Sequence, residues 1–341
     1  MKNRIIQEDV EGIIRQLDIE KCRNKTFLIS GVTGAIARYF VYTLLELNRK
    51  YPDAGCKILA LCRNREKAAK LFGEYQDINL ILLIQNVEQR VLYDGKIDYI
   101  IHAASNSTTK LFYSNPVETS CANIIGTVNL LELAKEKKVE GFLFLSSGAI
   151  YGDDSQATAD VREDEYYPID SVEIGNSYAL SKKMGENLCA SYCSEFGVPA
   201  KIVRIGHTYG PGIDLEDGHI YSDFVKSFVD HKDIVIRGSG AQKRAFCYIA
   251  DAVRAFFLIL FRGEPGQAYN MANNSQFISI KELAECLVEG IEREKKIVIQ
   301  GKNEEIDSVQ VSICSEKLER LGWKPVIGVV EGFRRTIEAK G

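Results

Sequence analysis

"TFLISGVTGAIA", residues 26–37, runs a short apolar segment straight into a glycine turn and on into a helical pattern. Gly31 permits a tight turn at the strand end, and Gly34 lets backbone approach a pyrophosphate at a helix N-terminus. The third small residue, Ala37, lets the helix pack closely on its strand. A plain turn carries the same glycines. Here the loop follows the first strand and opens a long strand–helix alternation, so it reads as a dinucleotide site. Gly31, Thr33, Gly34, Ala35 and Ile36 are its candidate cofactor contacts.

Working outward, strands are expected at 26–30, 57–61, 79–84, 97–101, 142–146 and 200–205. They are continuously apolar, as strands covered on both faces must be. Helical patterns lie between them, over Ala35–Asn48, Pro116–Lys137 and Ser177–Phe196. This alternation predicts an α/β, Rossmann-type, doubly wound parallel sheet. After Gly210 the rhythm breaks into loops, a short strand at 233–238 and helices over Ile249–Phe261, Ile280–Gly290 and Gly328–Ala339. Residues 25–207 are therefore read as the NAD(P)-binding domain, with 241–262 returning to it. Residues 208–240 and 263–341 form a smaller α/β substrate-binding lobe, and 1–24 an N-terminal helical extension with an amphipathic helix over 5–20.

With 341 residues there is room for one large α/β domain or two modest ones. A formal charge of −4 leaves no basic footprint, which argues against nucleic acid. Neither an 18-residue apolar run nor a signal-peptide core is visible, so no membrane partner is expected and the protein reads as cytoplasmic. The nine cysteines show no framework spacing and read as reduced core residues. Cys189 and Cys193 lie four apart, but no second pair or histidine completes a metal site, and no metal is expected.

"FLFLSSGAIYG" (142–152) ends a buried strand on two hydroxyls, and "YALSKK" follows from Tyr178. Tyr178 and Lys182 are spaced i, i+4 and share one helix face. A free tyrosine, with a pKa of about 10, is a poor base at neutral pH. A neighbouring ammonium is expected to bring it toward the working range. Ser147, at the end of a central parallel strand, lies where such sheets bind ligands. Ser147, Tyr178 and Lys182 are thus the candidate catalytic set for an alcohol–ketone redox site.

These segments resemble the extended, nucleotide-sugar-modifying branch of the short-chain dehydrogenase/reductase superfamily, the NAD(P)-dependent epimerase/dehydratase family. The resemblance rests on "GVTGAIA", "IIHAAS" (100–105), "NIIGTVNLLELAK" (123–135), "SSGAIYG" and Tyr178-x-x-x-Lys182. It continues through "VRIGHTYGPG" (203–212), "GSGAQKRAFCYIADAV" (238–253) and "LGWKP" (321–325). It implies that Lys182 also binds the nicotinamide ribose with Tyr178 nearby. Ala103, Ala104 and Ser105 would line the cofactor, with Asn86 and Val87 at its adenine. It implies substrate contacts at Ser107, Ser147, His207, His219 and Arg244, and a homodimer through Pro116–Lys137 and Ser177–Phe196. His102 reads as structural.

Departures from the family pattern carry information. Gly148 and Ala149 stand where the resembling dehydratases have an Asp-Glu acid–base pair. Ala245 replaces an Asp after Arg244, His207 replaces an Asn, and "DSVQVSI" (307–313) lacks a second diphosphate-binding Arg. The second strand ends in Cys62, Arg63 and Asn64 with no acid for a ribose hydroxyl. Arg63 and Asn64 are candidate contacts that favour NADP(H), with NAD(H) open. His219, in "DGHIYSDFVKSF", reads as a phosphate contact, a proton carrier or a bystander. The expected activity is epimerisation of a nucleotide sugar through a keto intermediate. The alternatives are NADPH-dependent reduction of a nucleotide-linked keto sugar or ketose, and a non-catalytic nucleotide-binding module.

Overall fold

The computed structural model describes residues 3–75, 77–105, 113–152, 157, 159–301 and 310–340. Its helices are α1 Arg4–Ile14, α2 Ala35–Lys50, α3 Arg65–Phe72, α4 Pro116–Lys137 and α5 Ser177–Phe196, then α6 Ile220–Val229, α7 Ile249–Arg262, α8 Ile280–Ile291, α9 Glu316–Glu319 and α10 Val329–Glu338. The strands are β1 Thr26–Ser30, β2 Lys57–Cys62, β3 Leu80–Ile84, β4 Tyr99–His102, β5 Gly141–Ser147 and β6 Ala200–Ile205, then β7 His207–Tyr209, β8 Ile234–Ile236, β9 Lys243–Tyr248, β10 Ala268–Met271, β11 Phe277–Ser279 and β12 Ile297–Ile299.

Seven strands make one parallel sheet in the order β10-β6-β5-β4-β1-β2-β3. The sheet is doubly wound. All five residues of β1 are buried. Phe27 and Ile29 join the core beneath α1, α2 and α7, while Leu28 joins the one beneath α4 and α5. That alternation is the two-residue period of a strand covered on both faces. Burying each such side chain stabilises the fold by about 1.5–3 kcal/mol. β3 differs: as the edge strand it is only half-buried throughout, so its apolar run does not mark a strand covered on both sides.

Helix ends follow local chemistry. α4 opens with Pro116 and stops where Lys138 turns left-handed; α5 stops at left-handed Gly197. α8 carries a capping box between Ser279 and Glu282. The N-terminal helix ends at Ile14, short of the expected 20, and a single 3-10 turn, Ile19–Lys21, follows.

α1 is bound into the main core. Val10, Ile13 and Ile14 are buried there, and the Asp9 carboxylate accepts from Tyr39 Oη at 2.8 Å and Tyr248 Oη at 2.6 Å. Arg335 of α10 pairs with Asp9 at 3.1 Å. Burial raises the Asp9 pKa to about 6, against the pull of the two phenols and Arg335.

The C-terminal region contributes the seventh strand, β10, from residues that the sequence placed in the smaller lobe. Two small sheets, β11-β9-β7 and β12-β8, lie outside the main one. The "LGWKP" segment is tied to α7: Trp323 Nε1 donates to the Asp251 carbonyl at 2.9 Å, and the Asp251 carboxylate receives the Val326 and Ile327 amides. Among the described residues no helix is long and apolar enough to cross a membrane, and no cluster of metal-ligating side chains is present.

Candidate active site

The carboxyl ends of the parallel strands open into a cleft of about 980 Å³ between the sheet and the small sheets. At its floor β1 turns through Gly31, whose φ is +73°. A Cβ there would come within 2.8 Å of the Ala104 backbone, so only glycine lets β1 and β4 end this close together. Gly34 is the N-cap of α2 and offers no side chain to the first-turn amides. Those amides lack intrahelical acceptors and sit at the positive end of the helix dipole. Thr33, Ala35 and Ile36 complete this wall. A glycine cradle under an open helix start suits a dinucleotide diphosphate.

The Ser30 hydroxyl beside it accepts from the amides of Ala103 and Ala104, at 3.1 and 3.0 Å, and bonds His102 Nδ1 at 2.9 Å. With both amides donating, the hydroxyl hydrogen is left for Nδ1. Burial, then the charge of Lys182, pushes His102 down to about 3, so it is neutral. His102 thus shapes the strand end on which Ala103, Ala104 and Ser105 face the cleft.

Further along, Asn86 and Val87 line the cleft after β3. Asn86 Oδ1 accepts the Glu88 amide at 3.3 Å, and Val87 lies where α4 passes closest: a Cβ on Gly126 would meet it at 2.8 Å. Asn64 caps α3 by accepting the Lys67 amide at 2.8 Å. Arg63 pairs with Glu118 of α4 at 2.6 Å, both partly exposed. A carboxylate thus already engages the guanidinium expected to meet a 2′-phosphate.

Ser146 and Ser147 close β5 and point to opposite sides. Ser146 is buried and donates to Glu186 Oε1 at 2.5 Å. Glu186 in turn holds Arg204 at 2.8 Å, with both side chains under a tenth exposed. Ser147 faces the cleft, accepts the Ala149 amide at 3.2 Å and is hydrogen-bonded to the Tyr178 hydroxyl.

Lys182 Nζ lies 5.8 Å from the Tyr178 ring centre, as the i, i+4 spacing requires, but it donates to the Leu145 carbonyl at 2.7 Å. Burial pushes Lys182 down to about 7, against the pull of Glu186 and then Cys189. Burial likewise raises Tyr178, and only its bond to Ser147 works downward. The expectation that Lys182 lowers the Tyr178 pKa is therefore corrected. The lysine is itself desolvated and spends its nearest contact on a strand carbonyl.

At the far end, His207 opens β7 and His219 is the N-cap of α6, stacked on Tyr221 with ring centres 5.0 Å apart. His207 is exposed to the cleft. The surrounding walls, then Arg244 and His219, hold it below the ordinary imidazole range. Arg244 lies on β9 and donates to the Lys243 carbonyl at 2.7 Å and Gln242 Oε1 at 3.1 Å.

One cleft thus gathers every residue the sequence nominated except Ser107, which lies outside the described residues, as do 302–309. Several lining residues were not nominated, Arg38 and Tyr221 among them. Arg38 falls four places after Gly34, a helical spacing that would have flagged it, and Tyr221 falls two places after His219.

A parallel doubly wound sheet, a glycine cradle and a serine–tyrosine–lysine group at its carboxyl edge define a dinucleotide-dependent enzyme of the extended short-chain dehydrogenase/reductase type. The chain belongs to the NAD dependent epimerase/dehydratase family, whose sequence model matches residues 27–272. It is 30% identical over 332 residues to dTDP-D-glucose 4,6-dehydratase of Mus musculus, across 92% of this chain and 88% of that protein. It is 27% identical over 311 residues to UDP-glucuronic acid decarboxylase 3 of Arabidopsis thaliana, across 91% and 87%. The UDP-N-acetylglucosamine 4-epimerase of Methanobrevibacter ruminantium M1, solved with UDP-N-acetylmuramic acid, shares the fold with a TM-score of 0.78 at 20% identity, over 93% and 98% of the two chains.

Proposed function

We propose that this protein is a nucleotide-sugar epimerase that works through a keto intermediate. The observation that carries this reading is the contrast across three consecutive residues. Ser147 is engaged with Tyr178, while Gly148 and Ala149, which follow it in the cleft wall, bear no group able to transfer a proton. Space does not impose the glycine: a Cβ on Gly148 would meet nothing closer than the Ile205 carbonyl at 3.6 Å. The elimination and decarboxylation chemistries named for the sequence relatives would need a proton donor or acceptor that this turn lacks.

In this reading Ser147 holds the substrate oxygen and Tyr178 takes its proton, then returns it to that oxygen once the keto sugar has turned its other face to the cofactor. Lys182 holds the ribose end of the cofactor beside Tyr178. The bound dinucleotide supplies reversible two-electron acceptance from the substrate carbon. Arg244, with His207 and His219 beside it, forms an end suited to a nucleotide diphosphate, the guanidinium supplying the charge. NMR of UDP- and dTDP-hexoses incubated with the enzyme should show inversion at one carbon with no net cofactor consumed. No 4-keto-6-deoxy sugar should form from any of them; its appearance would mean another residue supplies the elimination acid.

The ending of β2 favours a second reading, reduction of a nucleotide-linked keto sugar by NADPH. Cys62, Arg63 and Asn64 offer no carboxylate to a ribose 2′-hydroxyl, and Arg63 can exchange Glu118 for a 2′-phosphate. NADP(H) is expected to bind more tightly than NAD(H), and Arg63→Ala to remove the difference. Calorimetry giving equal or tighter NAD(H) binding to the wild type would reverse this. Net NADPH consumption matched to sugar product would replace epimerisation by reduction.

A homodimer through α4 and α5 belongs to the same proposal. Val117, Ile125, Met184 and Phe196 stand exposed on these two helices, whose other faces cover the sheet. The nine cysteines are all free, in keeping with a reducing cytoplasm.

A further inference from the structure

Arg38 lies one turn into α2 and shares a face with Gly34 of the phosphate loop. Its Nη2 donates to the carbonyls of Thr33 at 3.0 Å and Gly212 at 3.4 Å, and its Nε to Gly34 at 3.4 Å. All three acceptors are neutral. Among the described residues no carboxylate pairs with Arg38, and its Nη1 makes no hydrogen bond. Arg204, the buried arginine of this region, has Glu186. Burial is the main influence on Arg38 and lowers its pKa, with Tyr42 and Tyr39 opposing. A half-buried cation on the cleft wall with no anion beside it is placed to take one from a ligand.

The opposite wall is shaped around this guanidinium. Gly212 has a φ of +94°, and a Cβ on it would lie 2.7 Å from Arg38 Nη1. Gly212 belongs to the segment that leaves β7 for the small lobe, 174 positions from Arg38. Lys340 holds the next residue of that segment, donating to the Ile213 carbonyl at 2.9 Å. The side chain therefore sits at the mouth of the cradle, touching both the phosphate loop and the first turn of the substrate side.

We infer that Arg38 is a cofactor-binding residue whose guanidinium grips the dinucleotide diphosphate and, through the Gly212 carbonyl, fastens the head of the substrate lobe to it. The inference rests on the dinucleotide reading of the cleft. A guanidinium has five donors in a planar fork, so it can keep its carbonyls and still offer Nη1 to a phosphate oxygen. A lysine has neither the plane nor the reach to do both.

Calorimetry of NAD(H) and NADP(H) with wild type, Arg38→Met and Arg38→Gln tests this. Arg38→Met should raise Kd roughly 10- to 100-fold for both cofactors, the scale of a lost charge-assisted contact. Arg38→Gln, which retains a donor for the loop carbonyls but no charge, should show most of that loss. It also decides the matter if the methionine variant does not fold. The wild-type loss of affinity with added salt should be shallower in both variants. An unchanged Kd in a folded Arg38→Gln, or a salt dependence equal to wild type, would overturn the inference. Failure of the wild type to bind either dinucleotide would instead overturn the cofactor reading beneath it.

Discussion

Tyr178→Phe is expected to bind cofactor as the wild type does and to lose roughly 10²–10⁴ in turnover, the scale of a positioned acid–base group. The ring's packing survives the change; what disappears is the hydroxyl bonded to Ser147. Other titratable groups line the cleft, but Lys182 is spent on the Leu145 carbonyl, and His207 and His219 lie at its far end. None replaces a phenol placed beside Ser147. The loss should fall on kcat at nearly constant KM, because the lost contact acts on the reacting proton. Near-wild-type turnover would sink the assignment of Tyr178, and with it the role given to Ser147.

Glu186→Leu should destabilise the folded protein by about 3–5 kcal/mol, the cost of leaving a buried cation without its partner. Arg204 has little else to turn to. Its remaining acceptors are Tyr151 Oη and the Glu163 carbonyl, both at 2.8 Å, and its side chain is only 5% exposed. The same substitution frees the Ser146 hydroxyl and removes the charge that holds the Lys182 pKa up, so Lys182 should fall further. Replacing both partners, with Arg204→Met added, should recover part of the loss, since two apolar side chains leave no stranded charge. Denaturant unfolding with a change below about 1 kcal/mol in the single variant would show that water reaches the pair.

How far such features can be read from residues depends on what declares them locally. α4 and α5 were legible to the residue because Pro116 at one start and Gly197 at one stop are local signals. β1 with its loop was legible because strand, glycines and helix adjoin. β10 was not. Its four residues, Ala268–Met271, include Asn270, which belongs to no apolar run. That side chain is buried because it bonds the Tyr151 hydroxyl and the Val161 carbonyl, partners more than 100 residues away in sequence. Gly31, Thr33, Gly34, Ala35 and Ile36 follow from the loop itself, whereas Asn86, Val87 and Ala103–Ser105 rest on the family resemblance. The Arg63–Glu118 pair was hidden, since nothing in either segment says that the start of α4 passes the end of β2. The pKa of Tyr178 was misjudged for a similar reason: spacing placed Lys182 beside the phenol but gave no sign of the Leu145 carbonyl that holds it or of the burial acting on both.

The carboxylate of Asp9 gathers its partners at widely separated moments of synthesis. Tyr39 follows it by 30 residues, Tyr248 by 239 and Arg335 by 326. On a translating ribosome the first helix is therefore made long before the arginine that neutralises it, and it stays only partly anchored while almost the whole chain is added. The last helix acts as a latch on the first, and a nascent chain halted before Arg335 should offer α1 to chaperones or proteases that the finished protein no longer meets.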